Sequence, residues 1–135
     1  MASAVRETIE GHAQRTGIEV TFEESLNGKK LPKDVEISLF RILQEALSNI
    51  HNHASADKVE VRLFEDDGSI YFVVEDDGKG FDINKLDSVD LQLSKRGLGL
   101  LSMRERVKKF NGRFEIVSKV GEGTKVSVII PDVEG

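Results

Sequence analysis

Ile18, Val20 and Phe22 alternate with Glu19, Thr21 and Glu23, the two-residue period of a half-buried strand. Before them, residues 3–16 read as a short helix, polar apart from Ala4, Val5, Ile9 and Ala13, with Gly17 as its stop. After the Asn27-Gly28 turn signal, Val35, Leu39, Leu43, Ala46 and Ile50 recur at spacings of three and four. That spacing predicts a long helix from about Pro32 to His53, one stripe on a core and Pro32 in its first turn. Val59, Val61 and Leu63 alternate within residues 58–65, and Asp66-Asp67-Gly68-Ser69 closes a hairpin to Ile70–Glu75.

Residues 82–96 carry no clear period, and a connection of that length without structure usually marks a functional or mobile loop. A further helix is predicted from roughly Leu98 to Asn111, with Met103, Val107 and Phe110 as its stripe. Lys108 and Lys109 suit its C-terminal dipole, and Gly112 is placed as the residue that ends it. Strands at 113–119 and 123–130 flank the turn Gly121-Glu122-Gly123. The order α-β-α-β-β-loop-α-β-β predicts an α+β fold: one antiparallel-rich sheet with helices on one face.

Composition narrows what such a fold is for. A chain of 135 residues, 39% hydrophobic and 32% charged, is expected to form a single globular domain. With no cysteine, disulfides, thiolate metal sites and a cysteine nucleophile are excluded together. Apolar runs are far shorter than the ~20 residues of a membrane span, and no secretory leader opens the sequence, so a cytoplasmic domain without membrane contact is expected. Nineteen Lys+Arg against 24 Asp+Glu, a net charge of −5, argues against a nucleic-acid surface. A small anionic ligand stays open, because backbone amides, helix ends and a metal bind phosphate without net positive charge.

Strand parity gives the first candidate chemistry. Ile70, Phe72, Val74 and Asp76 share one face if the strand continues, which aims a carboxylate where a core residue is expected. Thr124 stands in the same relation to Val126, Val128 and Ile130. The pair reads either as a polar patch at the edge of an apolar pocket or as two solvated strand ends. On the long helix, Glu45, Asn49 and Asn52 fall within about 40° of one another and span roughly 10 Å. Such a face is either solvated or a set of oxygens suited to a hydrated Mg²⁺. Asp76-Asp77-Gly78-Lys79-Gly80-Phe81 reads as a tight turn, and Gly97-Leu98-Gly99 lies where a helix begins and unpaired amides attract phosphate. Gly97-Leu98-Gly99 fits neither a P-loop nor a dinucleotide fingerprint.

Taken together these segments resemble the GHKL ATP-binding superfamily. Phe40-Arg41-Ile42-Leu43-Gln44-Glu45-Ala46-Leu47-Ser48-Asn49 is similar to its N box. Val74 through Phe81 is similar to its first glycine box, Arg96-Gly97-Leu98-Gly99-Leu100 to its second, and Gly121-Glu122-Gly123-Thr124 to its closing motif. The run from Gly97 to Val107, with Met103-Arg104-Glu105-Arg106, looks most like histidine kinases that partner NarL-type response regulators, and His53-Ala54 fits that group. The implied fold is a two-layer α/β sandwich with an antiparallel-rich mixed sheet and a mobile ATP lid at 82–96.

The resemblance implies ATP and Mg²⁺ as ligands and a role for each matching position. Asp76 would accept a hydrogen bond from the adenine amino group, supported by Thr124, and GTP would be disfavoured. Asn49 would ligate Mg²⁺, and Glu45 would polarise water or order the metal shell. Gly78 and Gly80 would let the backbone pass close to the adenine. Gly97, Leu98 and Gly99 would bring amides to the phosphates, and His53 would line the ribose or phosphate side. Asn52 departs from the pattern, which often has Lys or Arg there, so Lys79, Lys95, Arg96 and Arg104 are the cations left near the phosphates.

No phosphoacceptor signature is present: His12, His51 and His53 are followed by Ala13, Asn52 and Ala54 rather than by an acid. The expected function is that of a sensor-kinase catalytic domain, transferring the γ-phosphoryl group to a histidine on a separate dimerisation domain. Residues 1–16 would be the connecting helix, and the domain alone would not autophosphorylate. Two other readings are a stand-alone serine kinase of the anti-sigma-factor type and an ATP-binding regulatory module without transfer.

Overall fold

A computed structural model describes residues 2–51, 55–80 and 95–131. Along the chain they form α1 (Ala2–Thr16), β1 (Glu19–Ser25), α2 (Lys33–Asn49), β2 (Lys58–Asp66) and β3 (Ser69–Asp76). Then follow α3 (Lys95–Lys108), β4 (Arg113–Ser118) and β5 (Thr124–Ile130). The five strands make one sheet in the order β1-β2-β3-β5-β4, parallel between β1 and β2 and antiparallel elsewhere. The expected antiparallel-rich mixed sheet is therefore present.

The core lies between this sheet and the helices. Ile70, Phe72 and Val74 of β3, Val61 and Leu63 of β2, and Val126, Val128 and Ile130 of β5 are all buried on one face. Against them α2 sets Val35, Leu39, Ile42, Leu43, Ala46 and Leu47, and α3 sets Met103 and Val107. Burying a side chain of this size is worth roughly 1.5–3 kcal/mol, which makes the strand alternation and helix stripe a strong constraint on register. Val5 and Ile9 of α1 join the same core, so this helix is docked on the domain rather than projecting from it.

Several boundaries differ from the sequence expectation, each for a local reason. Pro32 precedes the first helical residue with ψ at 147°, and Asp34 instead occupies the first turn, its Oδ1 accepting the Val35 amide at 2.9 Å. At the other end, Ile50 and His51 widen into a π turn. The β2–β3 hairpin is tight as predicted, with Asp67 and Gly68 both at positive φ, the geometry of a two-residue primed turn.

The third predicted helix starts earlier than Leu98, at Lys95, so only 82–94 of the expected lid remain between β3 and α3. Residues 82–94 lie outside the described residues, as do Asn52 and His53. Its end is also corrected. Asn111, not Gly112, takes the left-handed position, with φ at 56°. The Gly112 amide bonds the Val107 carbonyl and the Asn111 amide bonds that of Lys108, both at 3.1 Å. This is the paired closure in which a left-handed residue ends a helix, and asparagine tolerates that conformation better than most side chains do. Gly112 serves proximity instead: a Cβ there would lie 2.7 Å from Val107 Cγ1 and 2.8 Å from the Ile129 carbonyl.

Candidate functional site

The apolar rows of the inner face end in polar residues at the same edge of the sheet. Asp76 is paired with Val59 on one side and with Thr124 on the other, and Thr124 is paired with Ser118. One row across β2, β3, β5 and β4 thus reads Val59, Asp76, Thr124, Ser118, and parity points all four toward the helices. Asp76 and Ser118 are both 6% exposed. The strand therefore continues to Asp76, and the carboxylate is buried rather than a solvated strand end.

A buried carboxylate needs donors. Asp76 Oδ1 accepts the Gly78 amide at 2.8 Å, a bond made possible by the turn that follows β3. Burial nevertheless pushes its pKa above the usual carboxylate value. The Gly78 and Thr124 amides pull it back, and the charges of Asp77 and Glu75 add to the rise. Asp77 is the opposite case: its exposed carboxylate accepts the amides of Lys58 and Asp57 at 3.0 and 2.9 Å, which holds its pKa low. One acid of the pair stabilises the turn, and its neighbour is left poised toward the interior.

Two glycine turns lock together beneath this carboxylate. A Cβ on Gly123 would run into the Asp76 carbonyl oxygen, and one on Gly80 would run into that of Lys119. Both residues have positive φ, and the Gly121 amide bonds the Lys79 carbonyl at 2.6 Å. In this structure Gly80 therefore serves backbone contact between the two turns. Gly78 is buried and serves Asp76 through its amide.

Ser118 is the residue that sequence reasoning missed. Its Oγ donates to the Gly123 carbonyl at 3.2 Å and lies 2.8 Å from Thr124 Oγ1. The parity that singled out Asp76 and Thr124 was also available here, since Phe114 and Ile116 precede Ser118 at two-residue spacing.

On α2, Glu45 and Asn49 are half-buried, one turn apart on one face of the helix, beside the buried stripe that packs on the sheet. In α3, Gly97 falls in the first turn, where amides have no partner within the helix. Gly99 lies beyond that turn, where the helix's own carbonyls take up the amide. Leu98 stands between them. A depression of about 480 Å³ opens at the same end of the sheet, lined by Val59 and Asp76 of the polar row together with Glu19, Thr21, Lys58, Glu60, Glu75, Asp77 and Glu122. Its outward-facing Glu19, Glu60 and Glu75 would repel an anionic ligand, so the side of this edge that suits phosphate is the one facing the helices.

Comparison with known proteins bears on the fold and the family. Residues 34–134 match the family described as histidine kinase-, DNA gyrase B-, and HSP90-like ATPase. The chain is 37% identical over 118 residues to the signal transduction histidine-protein kinase/phosphatase DegS of Brevibacillus brevis, covering 87% of this chain and 29% of that protein. It is 41% identical over 102 residues to the sensor protein VraS of Staphylococcus aureus, covering 76% of this chain and 27% of VraS. Among solved structures, full-length ShkA in complex with AMPPNP aligns with a TM-score of 0.79 at 22% identity, over 98% of this chain and 30% of that one. The histidine kinase domain of the Erythrobacter litoralis EL346 blue-light activated kinase aligns with a TM-score of 0.72 at 23% identity, over 96% of this chain and 59% of that one. Those likenesses establish the fold, and the family match over most of the chain establishes the membership: this chain belongs to the histidine kinase-, DNA gyrase B-, and HSP90-like ATPase family.

Proposed function

We propose that this chain is the catalytic, nucleotide-binding domain of a sensor histidine kinase, and that it binds Mg-ATP at the edge marked by Asp76. The observation that carries the reading is the buried carboxylate of Asp76 at the end of an apolar row, with Thr124 on the next strand and Ser118 on the strand beyond it. An apolar edge ending in acceptors suits a flat base with an exocyclic amine. Asp76 accepts from the adenine amino group, and Thr124 supports that contact.

Placement on α2 and α3 supports the roles assigned to the described residues. The Gly97 amide, at the start of α3, is available to a phosphate, and Gly99 gives the ligand close access to the helix backbone. Leu98 lies between them, and His53 is assigned to the ribose or phosphate side from the sequence resemblance. Glu45 and Asn49 fit the donor set of Mg²⁺, which takes one or two protein oxygens and completes its shell with water and phosphate. Asn49 is the proposed ligand, and Glu45 orders the water around it. When bound, the metal supplies charge neutralisation at the phosphates.

The chain spans under a third of the length of the histidine-protein kinase/phosphatase DegS and of the sensor protein VraS. We therefore assign the phosphoacceptor histidine to a dimerisation domain of the parent protein, reached through α1, and a NarL-type response regulator downstream. A nitrogen of that histidine attacks the γ-phosphorus while the bond to the β-phosphate oxygen breaks and ADP leaves. This domain contributes position and charge stabilisation and forms no covalent intermediate. The domain is assigned to the cytoplasm, and among the described residues no helix is long and apolar enough to cross a membrane.

Mixing this chain, labelled ATP and Mg²⁺ with the dimerisation domain of the parent kinase tests the assignment. Acid-labile label on the added domain, and none on this chain alone, is the expected result. Acid-stable label on a serine of a partner would replace it with the serine-kinase reading. Tight nucleotide binding with no transfer would reduce the chain to a regulatory module, the reading that Asn52 in place of a basic residue favours.

A further inference from the structure

The two hydroxyls of the polar row are ordered by proton count. Ser118 Oγ donates to the Gly123 carbonyl at 3.2 Å, and that carbonyl can only accept. A serine hydroxyl has one proton, so the 2.8 Å bond between Ser118 Oγ and Thr124 Oγ1 uses the proton of Thr124. The Thr124 oxygen is then left with lone pairs for whatever lies on its other side. Its neighbour on β3 is Asp76, which has only lone pairs when ionised.

We infer that Ser118 is a specificity-determining positioning residue: by engaging the Thr124 proton, it makes this edge of the site accept only, and so favours 6-aminopurine over 6-oxopurine nucleotides. The inference rests on the nucleotide reading above and adds a residue to it. An amine at C6 offers protons to both acceptors. A carbonyl at C6 brings lone pairs against lone pairs, and an unmet buried acceptor is penalised more than a met one is rewarded. Removing the Ser118 hydroxyl would free the Thr124 proton to turn toward a 6-oxo group. Ser118 need not touch the nucleotide for this, since it acts through Thr124.

The test compares ADP with IDP, which differ at C6, by titration calorimetry on this chain and its variants. Ser118→Ala is expected to narrow the ADP-to-IDP preference about tenfold, the size of one hydrogen bond gained or lost. Ser118→Thr, which keeps the hydroxyl, retains the wild-type ratio. In a Thr124→Val background, Ser118→Ala is expected to leave the ratio where Thr124→Val alone puts it. An unchanged ratio in Ser118→Ala, or equal weakening of both nucleotides, overturns the inference while ADP binding that depends on Asp76 keeps the nucleotide reading. Wild-type protein that binds no ADP, or an Asp76→Asn variant that binds it equally well, overturns both. Should Ser118→Ala not fold, Ser118→Cys, with its weak acceptor, is expected to narrow the ratio in the same direction, and no narrowing there counts equally against the inference.

Discussion

Gly123 packs its bare Cα against the backbone carbonyl of Asp76, so the closing turn of the β4–β5 hairpin sits directly on the residue proposed to read adenine. Gly121, two residues earlier in the same turn, also has positive φ, but a Cβ there would meet no atom within 4 Å. The two glycines separate a conformational demand from a contact demand. Gly121→Ala is expected to lower unfolding free energy by about 1–2 kcal/mol, the strain of a left-handed alanine. Gly123→Ala adds a backbone collision and is expected to exceed about 3 kcal/mol and to weaken ADP binding. Urea unfolding of both variants decides this, and equal losses would mean that the contact between the turns is not maintained in solution.

Asp77 gives the turn an acid sensitivity. The two amides of Lys58 and Asp57 hold its carboxyl below the ordinary 3.8, so its contribution is present above that value. It is lost as pH falls through the lower, folded-state pKa. Asp77→Asn is expected to be less stable than the parent at neutral pH and to approach it in strong acid. Thermal unfolding across that range measures the difference, and a constant gap between the two proteins would contradict the assignment.

His12 ties α1 to α2: its Nε2 lies 3.2 Å from the Leu47 carbonyl, to which it donates, and its Nδ1 is buried without a hydrogen-bond partner among the described residues. Burial lowers its pKa, opposed by the Leu47 carbonyl and assisted by the charges of Arg15 and His51. A base with a lowered folded pKa contributes stability above the unfolded value of 6.5, and that contribution falls away as pH drops below it. His12→Ala is expected to cost about 2–3 kcal/mol at pH near 8, combining a lost hydrogen bond with a small cavity. Urea unfolding should show the gap closing in mild acid, and a gap that widens there would show that His12 is protonated in the folded protein.

Much of the candidate site is legible in the sequence. Asp76 and Thr124 stood out because a two-residue period carried polar side chains onto an apolar face, and burial of Asp76 follows from that parity. Ser118 obeyed the same rule but went unread, because a serine closing a short strand looks like an ordinary turn residue. The end of α3 was misplaced because glycine is the usual left-handed residue, whereas Asn111 fills that position and Gly112 is required by crowding from β5. Crowding of that kind depends on tertiary neighbours and leaves no local trace. The role of Gly80 was hidden for the same reason, since its partner carbonyl at Lys119 lies in a distant turn.

Folding and the proposed function make opposite demands on Asp76. Its raised pKa means that the ionised form is disfavoured in the folded state, a penalty absent below the unfolded value of 3.8 and complete above the folded one. Asp76→Asn keeps an oxygen for the Gly78 amide and removes the buried charge, so its midpoint of thermal unfolding at neutral pH is expected to rise. ADP binding by the parent protein should weaken as pH falls through the raised pKa, because only the ionised acid lacks a competing proton. A variant that melts lower than the parent would show that the charge is better compensated than its burial implies.

Titration calorimetry of ADP with Mg²⁺ into this chain and into folded Asp76→Asn tests the central claim most directly. The account predicts binding by the parent chain and a loss of about 10- to 100-fold in the variant, the worth of a hydrogen bond to a charged group. Equal affinity in the two proteins would remove Asp76 from the nucleotide site and contradict the account.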